Sequence, residues 1–157
     1  MTNRHVPAKL ELYSIIQIAC GSNHTIALTK NETIYSWGDI FSTERQPYYQ
    51  NAPLLLQIEN IVSVSCGSCH TMALEKTGKL YLWDTNLSNQ TELNTLEPIF
   101  SPTKINSIKY IKNMIGGNGY SMITTIFGEI YAWGKNYHGQ LGLGNTFDKH
   151  EPCKLKF

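Results

Sequence analysis

The sequence predicts an all-β chain: about three four-stranded antiparallel blades of a partial β-propeller, with little helix. Three observations carry that prediction. A nonapeptide, Cys20-Gly21-Ser22-Asn23-His24-Thr25-Ile26-Ala27-Leu28, returns as Cys66-Gly67-Ser68-Cys69-His70-Thr71-Met72-Ala73-Leu74, and more weakly as Gly116-Gly117-Asn118-Gly119-Tyr120-Ser121-Met122-Ile123. Each copy is followed 13 residues later by a tryptophan, from His24 to Trp37, His70 to Trp83 and Tyr120 to Trp133. A proline opens each unit, at Pro7, Pro53 and Pro102, and recurs at Pro152, in steps of 46, 49 and 50 residues. Repeats of this length that alternate short strands with turn residues are propeller blades, each one antiparallel sheet.

The elements follow in order. Ile15-Ile16-Gln17-Ile18-Ala19 is a first apolar run, Thr25-Ile26-Ala27-Leu28 a second and Thr33-Ile34-Tyr35-Ser36-Trp37 a third. A fourth follows each opening proline, as in Leu54-Leu55-Leu56-Gln57-Ile58, because proline is tolerated at a strand's first residue. Asn31-Glu32 and Thr77-Gly78 predict two-residue hairpin turns. The units run from about 7 to 52, 53 to 101 and 102 to 151, and 152–157 is expected to open a fourth without a hairpin partner. Gly21, Gly67 and Gly117 share one phase, where a strand ends; positive φ or close approach of a neighbouring backbone would require them.

Composition bounds the function. With 157 residues and 41% hydrophobic content the chain can bury a core, and 16% charge is low for a domain. Thirteen basic and twelve acidic residues leave a net charge of +1, which does not point to nucleic acid. Lys104, Lys109 and Lys112 are too sparse for a nucleic-acid footprint. No apolar run reaches the ~20 residues of a membrane helix. Met1-Thr2-Asn3-Arg4-His5 leads into no apolar stretch, so an intracellular chain, cytoplasmic or nuclear, is expected. The sequons at Asn23, Asn31, Asn86 and Asn89 are then chance, and the four cysteines are expected as thiols.

The repeat closely resembles that of the regulator of chromosome condensation family: a glycine, two residues, His-Thr, Ala-Leu, a turn, Tyr-x-Trp-Gly, and an Asn-x-x-Gly-Gln-Leu-Gly loop. Gly21, His24, Thr25, Ala27, Leu28, Tyr35, Trp37 and Gly38 match in the first unit, and Gly67, His70, Thr71, Ala73, Leu74, Gly78, Tyr81 and Trp83 in the second. The third replaces the histidine with Tyr120 but keeps Gly117, Gly128, Tyr131, Trp133 and Gly134, and it carries the complete loop Asn136–Gly142. The resemblance implies a seven-bladed propeller, of which three units are present. It also implies guanine-nucleotide exchange on a Ran-like small GTPase as one activity, although the first two inter-unit loops lack Gly-Gln-Leu-Gly.

Sites with chemical appeal have structural readings. Cys66-Gly67-Ser68-Cys69-His70 matches the attachment sequence of c-type haem and the spacing of a redox pair. In the repeat, however, Cys69 stands where Asn23 does and His70 where His24 does, so a single Asn-to-Cys difference creates the match. C-x-x-C also fits zinc, but no second pair follows at a fixed offset. His24 and His70 recur beside Thr25 and Thr71, with no carboxylate placed to orient the ring. The expectation is an imidazole bonded to a neighbouring backbone carbonyl, with the tryptophans packed between sheets. Gly139–Gly144 lacks the lysine and following helix of a phosphate loop.

No catalytic residue, cofactor or metal is therefore expected. The reading is a non-enzymatic module for protein–protein interaction or regulation; the exchange factor is the alternative, and a redox or haem protein a distant one. Partners would bind the inter-unit loops at 39–52, 84–97 and 135–148, with Phe41, Tyr48, Tyr49 and Tyr137 as aromatic anchors. Self-association or further blades are expected too. The two outer faces of a three-blade stack would together expose about 600 Å², the upper end of an ordinary monomer's apolar patch.

Overall fold

The computed structural model describes residues 9–39, 49–84 and 99–156. Twelve strands fill them: β1 (Ile15–Cys20), β2 (His24–Thr29), β3 (Ile34–Asp39), β4 (Tyr49–Leu55), β5 (Ile61–Cys66), β6 (His70–Glu75), β7 (Leu80–Asp84), β8 (Ile99–Ile105), β9 (Ile111–Gly116), β10 (Tyr120–Thr125), β11 (Ile130–Gly134) and β12 (Lys149–Lys154). They form three antiparallel meanders, β1-β2-β3-β4, β5-β6-β7-β8 and β9-β10-β11-β12. The sheets meet where β1 and β2 pack on β5, and where β5 and β6 pack on β9. Among the described residues there is no helix.

Alternation along the strands explains the stacking, because residues two apart share a face. Ile26, Leu28 and Ile34 of the first sheet meet Ile61, Val64 and Trp83 of the second in one buried cluster. Met72, Leu74, Leu80 and Leu82 of the second meet Ile111, Met114, Ile123 and Trp133 of the third. Each later tryptophan thus inserts against the preceding sheet; Trp83 is 3% exposed and Trp133 0%. Trp37, on the first sheet, stays half-buried.

Three strand-level expectations need correction. Pro53, Pro102 and Pro152 lie inside β4, β8 and β12, which are the outer strands of the sheets holding the preceding tryptophans. The segment after Pro152 is not unpartnered: Tyr131 pairs with Lys154 and Ala132 with Cys153. Proline suits these strands because an edge position needs no ladder donor there. The hairpin tips are also one residue longer than predicted. Glu75 N donates to the Lys79 carbonyl and Gly78 N to the Glu75 carbonyl, leaving 76–78 as the tip, and the same pairs recur at Thr29–Thr33 and Thr125–Glu129. The third tip residue, Glu32, Gly78 or Gly128, takes positive φ, as a type I turn followed by a left-handed residue requires.

A further repeated device escaped the sequence reading. Ser14, Asn60 and Tyr110, each just before an innermost strand, adopt φ of 56°, 60° and 60°. Their carbonyls accept from Lys30 N, Lys76 N and Ile126 N at 2.8 Å, tying each entry turn to its own hairpin.

Candidate interaction face

Antiparallel pairing divides the connections between two ends of the stack. The hairpins at 30–32, 76–78 and 126–128 and the entry turns at 14, 60 and 110 lie at one end. The turns at 21–23, 67–69 and 117–119 and the loop 135–148 lie at the other. The repeat histidines sit at the loop end, and their geometry decides what they can do. His24 Nε2 is 2.9 Å from Thr71 Oγ1, and His70 Nε2 is 2.9 Å from Ser121 Oγ. The imidazole of one sheet thus clasps the hydroxyl one position beyond the matching residue of the next. The side-chain bond was not expected; for His24 it stands beside a backbone partner, since the His70 backbone also hydrogen-bonds that ring.

Burial keeps both rings neutral. Desolvation lowers the His24 pKa, partly offset by the charge of Asp39 and by the His70 backbone. Burial, reinforced by His24, holds His70 down at about 4. A cation on His70 would give up hydration without compensation. The glycines make the clasp possible. A Cβ on Gly67 would stand 1.9 Å from His70 Cε1 and 2.6 Å from the Gly117 carbonyl oxygen. One on Gly21 would stand 2.1 Å from His24 Cε1 and 2.7 Å from the Gly67 carbonyl oxygen. Neither glycine has positive φ, so close approach is the constraint. Gly117 faces Tyr120 in the same way.

The haem-like motif does not fit its cofactor. His70 is fully buried: its Nε2 is engaged with Ser121, and its Nδ1, which has no hydrogen-bond partner among the described residues, is enclosed against Gly67 where an iron has no access. Burial pushes the Cys66 thiol up to about 12, far from the thiolate that a redox pair uses. Cys20, Cys66, Cys69 and Cys153 are all unbridged, and no cluster among the described residues is arranged for a metal.

What remains at this end is a pre-shaped loop. Asn136 is fully buried and organises it: Nδ2 donates to the carbonyls of Asn145 (2.9 Å) and Phe147 (3.1 Å), and Oδ1 accepts from Leu141 N (2.9 Å). Asp148 Oδ1 in turn accepts from Asn136 N at 2.7 Å. Leu141 plugs the core beside Ala132 and Leu155. Pinned in this way, the loop turns Tyr137 (53% exposed) and Phe147 (73%) to solvent, with Lys135 5.9 Å above the Tyr137 ring. Tyr137 is where the sequence places an anchor. Phe147 was not singled out, although it flanks the same loop. Phe41 and Tyr48 lie outside the described residues, and Tyr49 opens β4.

The comparisons with known proteins agree with this architecture. Two models of the Regulator of chromosome condensation (RCC1) repeat match, one at residues 15–39 and 61–83 and the other at 128–157. The chain is 29% identical to the Ultraviolet-B receptor UVR8 of Arabidopsis thaliana over 97% of its own length and 37% of that protein's. It is 33% identical to the Probable E3 ubiquitin-protein ligase HERC4 of Homo sapiens over 90% of its length, but only 9% of that protein's. Among solved structures it superposes on yeast RCC1 (Prp20) bound to Kap60 with a TM-score of 0.82 at 25% identity, covering 94% of this chain and 38% of that one. Prp20p of Saccharomyces cerevisiae, described with its binding to Gsp1p and histones, gives a TM-score of 0.77 at 25% identity, over 94% of this chain and 39% of that one. The chain thus spans well under half of these relatives' lengths. Repeat order, blade topology and family-model matches agree: this chain belongs to the Regulator of chromosome condensation (RCC1) repeat family.

Proposed function

We propose that the chain is a non-catalytic interaction module that engages a protein partner through the loop end of its blades. The observation that carries the reading is the loop 135–148, held rigid by Asn136 while it presents Tyr137 and Phe147. Aromatic side chains on a fixed scaffold bind at low entropic cost, and such anchors dominate interfaces. The side chains that could do chemistry support the same reading: His24 and His70 are spent on the sheet-to-sheet clasp, and the Cys66 thiol stays protonated. The inter-unit loops 39–52 and 84–97, most of which lie outside the described residues, are proposed as further partner contacts.

A second reading, nucleotide exchange on a Ran-like GTPase, draws on the likeness to Prp20p, which is described as binding Gsp1p. The missing Gly-Gln-Leu-Gly in two of three loops favours the first. The test is quantitative capture of partners by the intact chain and by a Tyr137→Ser/Phe147→Ser variant with an unchanged melt. Partners that depend on the aromatic pair are expected. An identical set from both proteins would contradict the proposal.

A further inference from the structure

The opposite end of the stack carries an unassigned feature confined to the third unit. At the middle of the hairpins, Lys30 and Asn31 of the first unit and Lys76 and Thr77 of the second become Ile126 and Phe127. At the entry turns, Ser14 and Asn60 become Tyr110, held at φ 60° where a bulky side chain is strained. Tyr110 is 60% exposed, Ile126 59% and Phe127 68%, and the two rings meet edge to face at 5.3 Å. Folding buries none of the three, and the left-handed tyrosine costs stability. Large apolar groups kept in water at such a cost point to a contact outside the chain.

A cleft of about 460 Å³ opens beside this patch, between the second hairpin and the third entry turn. Its walls include Tyr110 and Ile126 together with Lys76, Lys79 and Lys109, and no carboxylate lines it. Glu32 holds Lys76 at 3.2 Å and Glu75 holds Lys79 at 3.8 Å, with both lysine side chains exposed. Exposed pairs of this kind are worth little, so an incoming carboxylate can compete for either lysine. Lys109 is exposed and makes no ion pair among the described residues. An apolar wall beside three cations complements an apolar group flanked by negative charge.

We infer that the hairpin end is a second docking site, which takes an extended acidic peptide segment of a protein partner. An aromatic or aliphatic residue of the segment seats against Tyr110, Ile126 and Phe127, and carboxylates on either side meet Lys109, Lys76 and Lys79. The site is independent of the loop-end reading, because it uses other residues at the other end of the sheets.

Two substitutions keep the fold while removing the site. Tyr110→Asn and Phe127→Asn install the residues that the repeat itself uses at Asn60 and Asn31, and the first relieves the strain at a left-handed position. The test pans a random library of peptides about eight residues long, the reach of a short extended motif, on the intact chain. Selected peptides are then titrated against the wild type, against Tyr110→Asn/Phe127→Asn and against Lys109→Glu. Enriched peptides are expected to carry one aromatic or aliphatic residue among several acids, to lose about tenfold or more in affinity on the double variant, and to weaken on Lys109→Glu and with added salt. The double variant should melt no lower than the wild type. Three results would overturn the inference: no enrichment, enrichment of neutral or basic peptides, or selected peptides that bind the double variant equally well. Tighter binding of single-stranded oligothymidine than of any selected peptide would also overturn it, by assigning the lysines to nucleic acid.

Discussion

At the scale of single residues, His70 shows how a side chain with catalytic associations becomes mortar. Its ring is closed off between two sheets, bonded to Ser121, and its pKa lies at about 4 against an ordinary value of 6.5. Above pH 6.5 the ring is neutral in both folded and unfolded chains, and stability is full. As pH falls from 6.5 toward 4, the unfolded chain takes up a proton that the folded one refuses, so stability is lost across that window, by up to about 3 kcal/mol. His24 adds to the loss in the same direction. Thermal melts should therefore fall steeply between pH 7 and pH 4.5, and His70→Gln should flatten the slope while lowering the melt at pH 7. A wild-type slope no steeper than the variant's would show that the ring titrates freely. The recurrence of Gly67 and His70 was legible in the sequence; their reason was not. It depends on the next sheet's carbonyl and hydroxyl, which lie 50 and 51 residues away along the chain at Gly117 and Ser121.

Among the elements, the strands were readable because apolar runs alternate and turn residues punctuate them. The sheet to which each proline-bearing strand belongs was not. Pro53 opens an apolar run, yet the strand is claimed by the tryptophan strand before it, as Tyr35 pairs with Leu55 and Ser36 with Leu54. That choice is a long-range pairing, and local periodicity carries no record of it. The loop 135–148 shows the opposite case. Asn136 and Gly-Gln-Leu-Gly are a local motif, and the motif closes locally through three hydrogen bonds from one amide. Asn136→Ala should leave the buried Leu141 amide and two part-buried carbonyls short of their partner, costing about 2–3 kcal/mol. Hydrogen exchange should then quicken at the amides of 137–147 and stay slow in β5 and β6. Uniform acceleration along the chain would mean that the loop and the sheets open together.

Over the whole molecule, the described sheets form a stack with one incompletely covered face. Val64 is 2% exposed and Met114 7%, because each is covered by the sheet before it; Ile18, at the same repeat position, is 61% exposed, and Trp37, two strands away in the same sheet, is only half-buried. That face, rather than a loose strand at Pro152, is where a second copy of the chain or a further blade would pack. Sedimentation at micromolar concentration should show concentration-dependent self-association that Ile18→Lys reduces; a monomer insensitive to that change would contradict it. Repeat number and order were plain in the sequence, since three landmarks recur in register. The aromatic patch at Tyr110 and Phe127 was invisible, because it exists only once an entry turn and a hairpin 17 residues apart are brought edge to face.

The central functional claim is that this propeller segment acts by contact alone, with His24, His70 and Cys66 committed to the fold. Release of fluorescent GDP from a Ran-like GTPase, followed with the intact chain in excess, tests it most directly. A contact module leaves the release rate at the intrinsic value whether or not the GTPase binds. Acceleration that rises with the concentration of the chain, and is lost in Tyr137→Ser/Phe147→Ser, would contradict it and establish exchange.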